Sequence, residues 1–196
     1  MIIKIPDEVT DHEGNKYSIM NDIYVFKRPG VDMFLKRLSR YYELVIFTAS
    51  IDKYANPVIN FLDPSGLCQH RLYREHCTYM YNVFIKDLTK LGRKMEDILI
   101  LDNSPISYLF QKQNALPIRT WLDDRNDIEL YKYLRPLEYL AKVKDVRPII
   151  SKIVDQDKNQ INFEAFDKIV LRYNYQEGES KDQNLGLVRF STLKMG

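Results

Sequence analysis

Hydrophobic residues along the chain fall into two alternating patterns. Runs that are apolar throughout occupy residues 44–47 and 98–101, whereas residues 31–38 have apolar positions three and four apart. Continuous apolar runs are typical of strands buried on both faces, and the second pattern predicts an amphipathic helix. Strands and helices that alternate in this way predict a parallel sheet covered on both faces by helices.

The first 28 residues follow a different pattern. Two short apolar runs, at 2–5 and 23–26, flank the polar turn 11–15, which predicts a β-hairpin that we call the flap. A helix is expected to follow Pro29-Gly30, because proline favours the first turn of a helix. Further elements are expected at 51–62 (helix), 72–73, 83–85 and 116–118 (strands) and 130–140 (helix).

Composition narrows the class of protein. The 196 residues are 45% hydrophobic and 29% charged, which suits one globular domain with a modest extension. We place the boundary at residue 148, with 1–148 as the domain and 149–196 as the extension.

A net charge of +2 without a dense basic run does not suggest nucleic-acid binding. No apolar stretch has the length of a membrane span, and the first residues lack a signal-peptide layout. We therefore expect a protein of the nucleus or cytoplasm, with neither nucleic acid nor membrane as a partner.

Two cysteines and two histidines lie close together in the sequence. Cys68, His70, His76 and Cys77 are zinc-ligand types, but their spacing is too crowded for a typical zinc site. Reduced thiols and ordinary histidines are the preferred interpretation, since a disulfide framework is not expected at this chain length.

Polar residues follow the predicted strands. Thr48 follows the strand at 44–47, Lys86 follows 83–85, and Asp102-Asn103 ends the strand at 98–101. Ligands of parallel sheets bind at the carboxyl ends of the strands. A hydroxyl and a lysine suit a phosphate group, and an aspartate beside an amide suits Mg²⁺. Each residue also has an ordinary interpretation: a helix cap, a solvated lysine and a turn, respectively.

Several motifs occur together over residues 20–148. They include Phe47-Thr48-Ala49-Ser50 and Asp102-Asn103-Ser104-Pro105, and further blocks lie at 27–32, 53–55, 71–75, 86–88, 91–93, 114–118 and 121–130. In this order, they resemble the small carboxy-terminal-domain phosphatases, also called the NLI-interacting-factor-like family, of the haloacid dehalogenase superfamily. The resemblance implies a Rossmann-like parallel sheet sandwiched by helices.

The resemblance also implies a chemistry. Members remove phosphate from serine or threonine in proteins, with Mg²⁺, through an aspartyl-phosphate intermediate. On matching positions Thr48 would hold the phosphoryl group, Lys86 would neutralise it, and Asp102 with Asn103 would bind the metal. Tyr54 and Arg74 match positions near the substrate mouth. Packing for the tyrosine and a surface ion pair for the arginine remain open as alternatives.

One motif of the family does not occur in the printed sequence. The family opens with an apolar strand followed by Asp-x-Asp-x-Thr, which supplies the nucleophile and the general acid and base. The nearest imitation, at 5–10, places Ile5 at the nucleophile position and Val9 at the threonine. We therefore expect the first, central strand to be missing, neighbouring strands to have unpaired edges, Mg²⁺ to bind weakly, and activity to be absent or very low.

Two origins compete for such a chain. It is either a fragment of an active phosphatase, which the intact downstream motifs favour, or a phosphatase-like scaffold that binds phosphoprotein partners without catalysis. The coding sequence upstream of Met1 would separate them. A mitochondrial import subunit of the same fold is disfavoured, because neither a presequence nor a membrane span is evident and Asp102–Pro105 has the phosphatase form.

The extension contains an imperfect calcium-loop pattern. Residues 155–166 resemble an EF-hand loop, but Gln160 stands at the glycine position, and Glu164 falls at position ten instead of twelve. A solvated acidic helix start is the preferred interpretation. The extension is expected to be helical and then, from residue 176, loosely ordered.

Overall fold

The structure is a computed structural model that describes the backbone of residues 1–176 and 190–193 and the side chains of residues 1–171. Within these residues no helix is both long enough and apolar enough to cross a membrane. The strands are β1 (Ile2–Thr10), β2 (Lys16–Tyr24), β3 (Glu43–Phe47), β4 (Cys68–Leu72), β5 (Thr78–Met80), β6 (Val83–Ile85), β7 (Ile100–Asp102), β8 (Ala115–Pro117), β9 (Val154–Asp155), β10 (Gln160–Ile161) and β11 (Phe190–Leu193). The α-helices are α1 (Val31–Leu38), α2 (Asp52–Leu62), α3 (Glu129–Leu140), α4 (Arg147–Ile153) and α5 (Phe163–Gln176).

The predicted flap is confirmed. Strands β1 and β2 pair antiparallel along their whole length, from Ile2 opposite Tyr24 to Thr10 opposite Lys16. The turn is closed by Asp11, whose carboxylate accepts backbone hydrogen bonds from Glu13 at 2.9 Å and from Asn15 at 2.8 Å. The flap is thus a self-contained hairpin that precedes the sheet.

The parallel sheet has the strand order β4-β3-β11-β7-β8 among the described residues. Its central position is held by β11, which pairs with β3 from Phe190 opposite Glu43 to Leu193 opposite Ile46. Leu193 also pairs with Leu101 of β7. The prediction of unpaired edges on the neighbouring strands is therefore wrong, because a strand from the C-terminal extension covers both edges.

The two faces of the sheet bury different clusters, as the alternation of side chains along a strand requires. On one face the core combines strand residues with residues of the α-helices: Leu44, Ile46, Leu101, Phe34, Ile59, Leu134, Ile150 and Phe166. On the other face Val45 and Ile100 contact Leu88 and Tyr108, which come from short 3₁₀ helices.

Part of the predicted extension packs on the domain, because Ile150 and Phe166 belong to the main core. The boundary at residue 148 remains a prediction. Of the loosely ordered end predicted from residue 176, residues 190–193 form β11, and the rest beyond Gln176 lies outside the described residues.

A bidentate ion pair joins the end of the flap to the loop before α3. Arg28 donates from Nε to Asp127 Oδ1 at 2.7 Å and from Nη2 to Oδ2 at 2.8 Å, and its Nη1 donates to the carbonyl of Arg119. Both side chains are largely buried, at 13% and 12% exposed. Hydrogen bonding from Arg28 lowers the pKa of Asp127. Such paired, desolvated forks are among the stronger charge interactions in proteins.

We predict that Asp127→Ala lowers the free energy of unfolding by about 2 kcal/mol, because it leaves the Arg28 guanidinium largely buried and unpaired. Since folding lowers the pKa of Asp127, this stabilisation is present above the unfolded-state pKa and is lost as the pH falls through the folded-state value. Urea unfolding should show the difference from the parent at pH 7 and its shrinkage in acid. Glu96→Ala removes an exposed pair with Lys94 and should change stability by less than about 0.5 kcal/mol. Equal effects of the two substitutions would contradict the prediction.

Candidate phosphate-binding site

Thr48 is the first residue after β3 and is only 3% exposed. Its backbone N–H donates to the carbonyl of Leu72 at 2.8 Å, which extends the pairing of β3 with β4 by one residue. Its hydroxyl oxygen accepts a hydrogen bond from the backbone N–H of Ser50 at 3.1 Å. The hydroxyl is therefore fixed at the carboxyl end of the sheet, with its own proton available to a ligand oxygen.

Lys86 and Asp102 form a buried ion pair. Lys86 Nζ lies 2.6 Å from Asp102 Oδ2, and the side chains are 1% and 0% exposed. The second carboxylate oxygen of Asp102 accepts the backbone N–H of Ser104 at 2.8 Å. Lys86 is thus not the solvated surface lysine of the ordinary interpretation. Two charges without contact with water are held together by their mutual attraction and by added hydrogen bonds.

The strand before Lys86 does not lie in the parallel sheet. Strand β6 pairs antiparallel with β5 in a separate hairpin, so the prediction of a third parallel strand at 83–85 is wrong. Lys86 reaches Asp102 because its backbone N–H donates to the carbonyl of Ser107 at 2.8 Å, in the turn after β7. The lysine is therefore delivered by a hairpin that is separate from the parallel sheet.

Two contacts bring Lys86 and Thr48 to the same end of the sheet. Lys86 Nζ lies 5.8 Å from the ring centroid of Phe47, the residue before Thr48. Cys77 Sγ lies 3.8 Å from the Thr48 carbonyl oxygen, and burial raises the pKa of the Cys77 thiol, while the charge of Lys86 acts in the opposite sense. The sequence pattern holds no signal for the Cys77 contact, because it depends on where the β5–β6 hairpin folds.

The other predicted residues lie around this centre. Asn103 is half-buried and donates from Nδ2 to Thr120 Oγ1 at 2.7 Å, so its amide is engaged with the loop after β8. Arg74 is exposed, donates from Nε to the carbonyl of Ala49 at 2.7 Å, and lies 5.0 Å from the Phe84 ring centroid. Arg74 therefore connects Ala49, the residue after Thr48, with Phe84 of β6, the strand that precedes Lys86.

Tyr54 joins the flap to α2. Its hydroxyl donates to Asp7 Oδ2 at 3.0 Å, and Lys53 Nζ lies 2.9 Å from Asp7 Oδ1. These hydrogen bonds, that from Lys53 foremost, lower the pKa of Asp7. Asp11 closes the flap turn with Asn15. Among the contacts of the described residues, no hydrogen bond or ion pair joins either flap carboxylate to Thr48 or Lys86.

Asp102 and Asn103, the residues predicted to bind Mg²⁺, make hydrogen bonds within the protein. Both oxygens of Asp102 already accept hydrogen bonds, one of them from the lysine cation. Over the part of the chain that the structure describes, no group of three or more histidine, cysteine, aspartate or glutamate side chains is placed to hold a metal. Mg²⁺ prefers a near-octahedral shell of oxygens, to which water and substrate phosphate usually contribute beside one or two carboxylates.

The residues weighed for zinc and calcium make other contacts. Cys68 and Cys77 are free thiols, and burial raises the pKa of Cys68 to about 12. His70 Nε2 lies 2.9 Å from Glu43 Oε1. Asp155 accepts backbone hydrogen bonds from the two residues that follow Gln156, and its carboxylate thereby closes a turn between β9 and β10.

The sheet and the site at its carboxyl end define an α/β domain of the haloacid dehalogenase type. A solved structure of Fcp1, described as an essential RNA polymerase II CTD phosphatase, superposes with a TM-score of 0.59 at 16% sequence identity. The match covers 78% of this chain and 60% of that one. At this identity the similarity establishes the fold and nothing finer.

Sequence similarity identifies the family. Residues 4–147 match the model of the NLI interacting factor-like phosphatases, and the chain belongs to that family. It is 45% identical over 132 residues to the human carboxy-terminal domain RNA polymerase II polypeptide A small phosphatase 1, covering 67% of this chain and 51% of the relative. It is 43% identical over 143 residues to phosphatase Herzog of Drosophila melanogaster, with 73% and 41% covered. The chain thus spans about half the length of the curated relatives it matches.

We predict strong coupling between the two buried charges. Lys86→Met and Asp102→Asn should each lower the free energy of unfolding by about 3 kcal/mol, because each removes the opposite charge beside a buried charged group. The double variant should recover much of that loss, since no charge then remains buried. Urea unfolding of the four proteins measures the coupling. Lys4→Met, which removes a lysine 67% exposed, is the control and should be nearly neutral. Additive losses in the double variant would show that the pair is not coupled.

Proposed function

We propose that this chain binds phosphorylated serine or threonine residues of proteins at the carboxyl end of its parallel sheet. The observation that carries the proposal is the buried Lys86–Asp102 pair at the sheet end that also holds Thr48. A phosphate dianion that enters this end meets a lysine with little competing hydration and a hydroxyl fixed by the turn after β3. Charge-assisted hydrogen bonds of this kind are about twice as strong as neutral ones.

Binding and hydrolysis need different groups. Hydrolysis in this family requires an attacking carboxylate from an Asp-x-Asp-x-Thr motif, which the printed sequence does not contain. Asp7 is engaged by Lys53 and Tyr54, and Asp11 by the flap turn. We therefore propose that the polypeptide of this sequence captures phosphate but turns it over very slowly or not at all, because loss of a nucleophile typically costs several orders of magnitude in rate.

A scaffold that binds phosphoproteins without catalysis is the second candidate. Unpaired strand edges would disfavour it, since they promote aggregation. Strand β11, however, covers the facing edges of β3 and β7. The described sheet is therefore continuous, as a stable binding domain requires.

The family suggests the type of partner, the compartment and the metal. The human relative's name refers to the carboxy-terminal domain of RNA polymerase II, and we propose phosphorylated, extended protein segments as partners. The nucleus or the cytoplasm is the corresponding compartment. We propose that Mg²⁺, which the family implies, binds this chain weakly, because Asp102, the carboxylate predicted to hold it, is already paired with Lys86.

The purified chain should not hydrolyse an aryl phosphate in the presence of Mg²⁺. The reason is the lack of a carboxylate placed to attack phosphorus. Release of the coloured phenolate, followed over hours against a buffer blank, measures it. Turnover that is lost in Asp102→Asn would refute the expected inactivity, whereas turnover that persists in this variant would point to a contaminating enzyme.

Thr48→Val should weaken capture of a fluorescent phosphoserine peptide by about tenfold, since it removes one hydrogen bond to a charged oxygen. Fluorescence anisotropy provides the affinity. Thr48→Ser keeps the hydroxyl and should bind nearly as the parent does, and the unphosphorylated peptide should not bind. Equal affinity of the valine and serine variants would exclude Thr48 from phosphate binding.

A further inference from the structure

The two halves of the candidate site stand on strands that do not touch each other. Thr48 follows β3, Asp102 ends β7, and β11 lies between these two strands. Neighbouring strands of a sheet are about 4.8 Å apart, so β3 and β7 are separated by about 10 Å. The distance between the threonine side and the lysine–aspartate side is therefore set by the presence of one intervening strand.

The intervening strand ends level with the site. Leu193 pairs on one side with Ile46, two residues before Thr48, and on the other with Leu101, the residue before Asp102. All the backbone pairing of β11 is parallel, as for β4 and β8 at the outside of the sheet. The segment thus completes the sheet in the orientation that the neighbouring strands require.

We propose that Phe190–Leu193 is a spacer strand, which positions Thr48 relative to Lys86 and Asp102 and thereby holds the phosphate site open. This inference rests on the proposed function. Without the spacer, β3 and β7 would either leave their facing backbone groups unpaired or pair with each other, and both outcomes change the separation of the two halves. The Lys86–Asp102 contact itself, which depends on β7 and the hairpin, would remain.

The slot has the properties of a strand-binding groove. Its two sides are the backbone edges of β3 and β7, and both edges pair with Phe190–Leu193. Backbone hydrogen bonds supply most of the recognition in such strand addition. We assign the occupancy to the chain's own C-terminal segment, because that segment lies in the slot in register with both neighbours. A segment from a second copy is the competing outcome.

A disulfide tests the register in the full-length chain. Val45 and Thr192 are direct partners across β3 and β11, and Cα atoms of neighbouring strands are about 5 Å apart, which a disulfide can bridge. In a Cys77→Ser background, Val45→Cys with Thr192→Cys should form an intramolecular disulfide, located by peptide mapping. Val45→Cys with Ser191→Cys is the control and should form little, because residues one apart point to opposite faces. A disulfide between two molecules, or equal yields, would overturn the assignment.

A proline tests the positioning role. Thr192→Pro should break β11, because proline removes a ladder hydrogen bond and is not accommodated in a central strand. We expect faster amide hydrogen exchange in residues 43–47 and 100–102 and a loss of phosphoserine-peptide affinity of at least about tenfold. Thr192→Val should preserve both properties, and so should Asn184→Pro, which lies in the same tail outside β11.

The outcomes separate the two proposals. If the parent chain binds no phosphopeptide, the proposed function fails, while the disulfide and the exchange pattern still decide whether β11 fills the slot. If Thr192→Pro exchanges faster but binds the peptide as tightly as the parent does, the spacer role is overturned and the phosphate site stands.

Discussion

Lys86 and Asp102 hold opposite charges 2.6 Å apart in a place that water does not reach. A buried charge is tolerated only when a partner neutralises it and hydrogen bonds occupy its remaining positions. Asp102 meets this requirement through Lys86 and Ser104. The turn after β6 and the end of β7 are thereby joined, and every other feature of the site is arranged around this contact.

The same contact is the basis of the anion site that we propose for this chain. The lysine has lost its hydration during folding, so a phosphate that displaces part of its interaction with Asp102 does not have to strip water from it. Thr48 adds a hydroxyl that the turn already orients, since Ser50 donates to its oxygen. Preorganisation of this type makes charge interactions more effective than they are in water.

The local pattern of hydrophobic residues was sufficient to predict the strands that lead to Thr48 and Asp102. The apolar runs before Thr48 and Asp102 are buried strands, and the spacing at 31–38 is a helix, because burial imposes these periods directly on the sequence. That Thr48 and Asp102 lie at one edge follows from the parallel sheet. The antiparallel pairing of β6 was missed, since three apolar residues have the same pattern in either type of sheet.

Strand β11 was beyond prediction for a related reason. Phe190–Leu193 is short, and its partners β3 and β7 are more than eighty residues away in sequence. Such pairing is decided by the vacant backbone edges of the sheet, which no local property of the segment encodes. In the proposed site, anion binding and attack on phosphorus fall on separate segments of the fold: we assign charge and orientation to Lys86 and Thr48, whereas the family's attacking carboxylate belongs to a different motif. A chain with the first set and without the second is therefore expected to retain phosphate affinity independently of turnover.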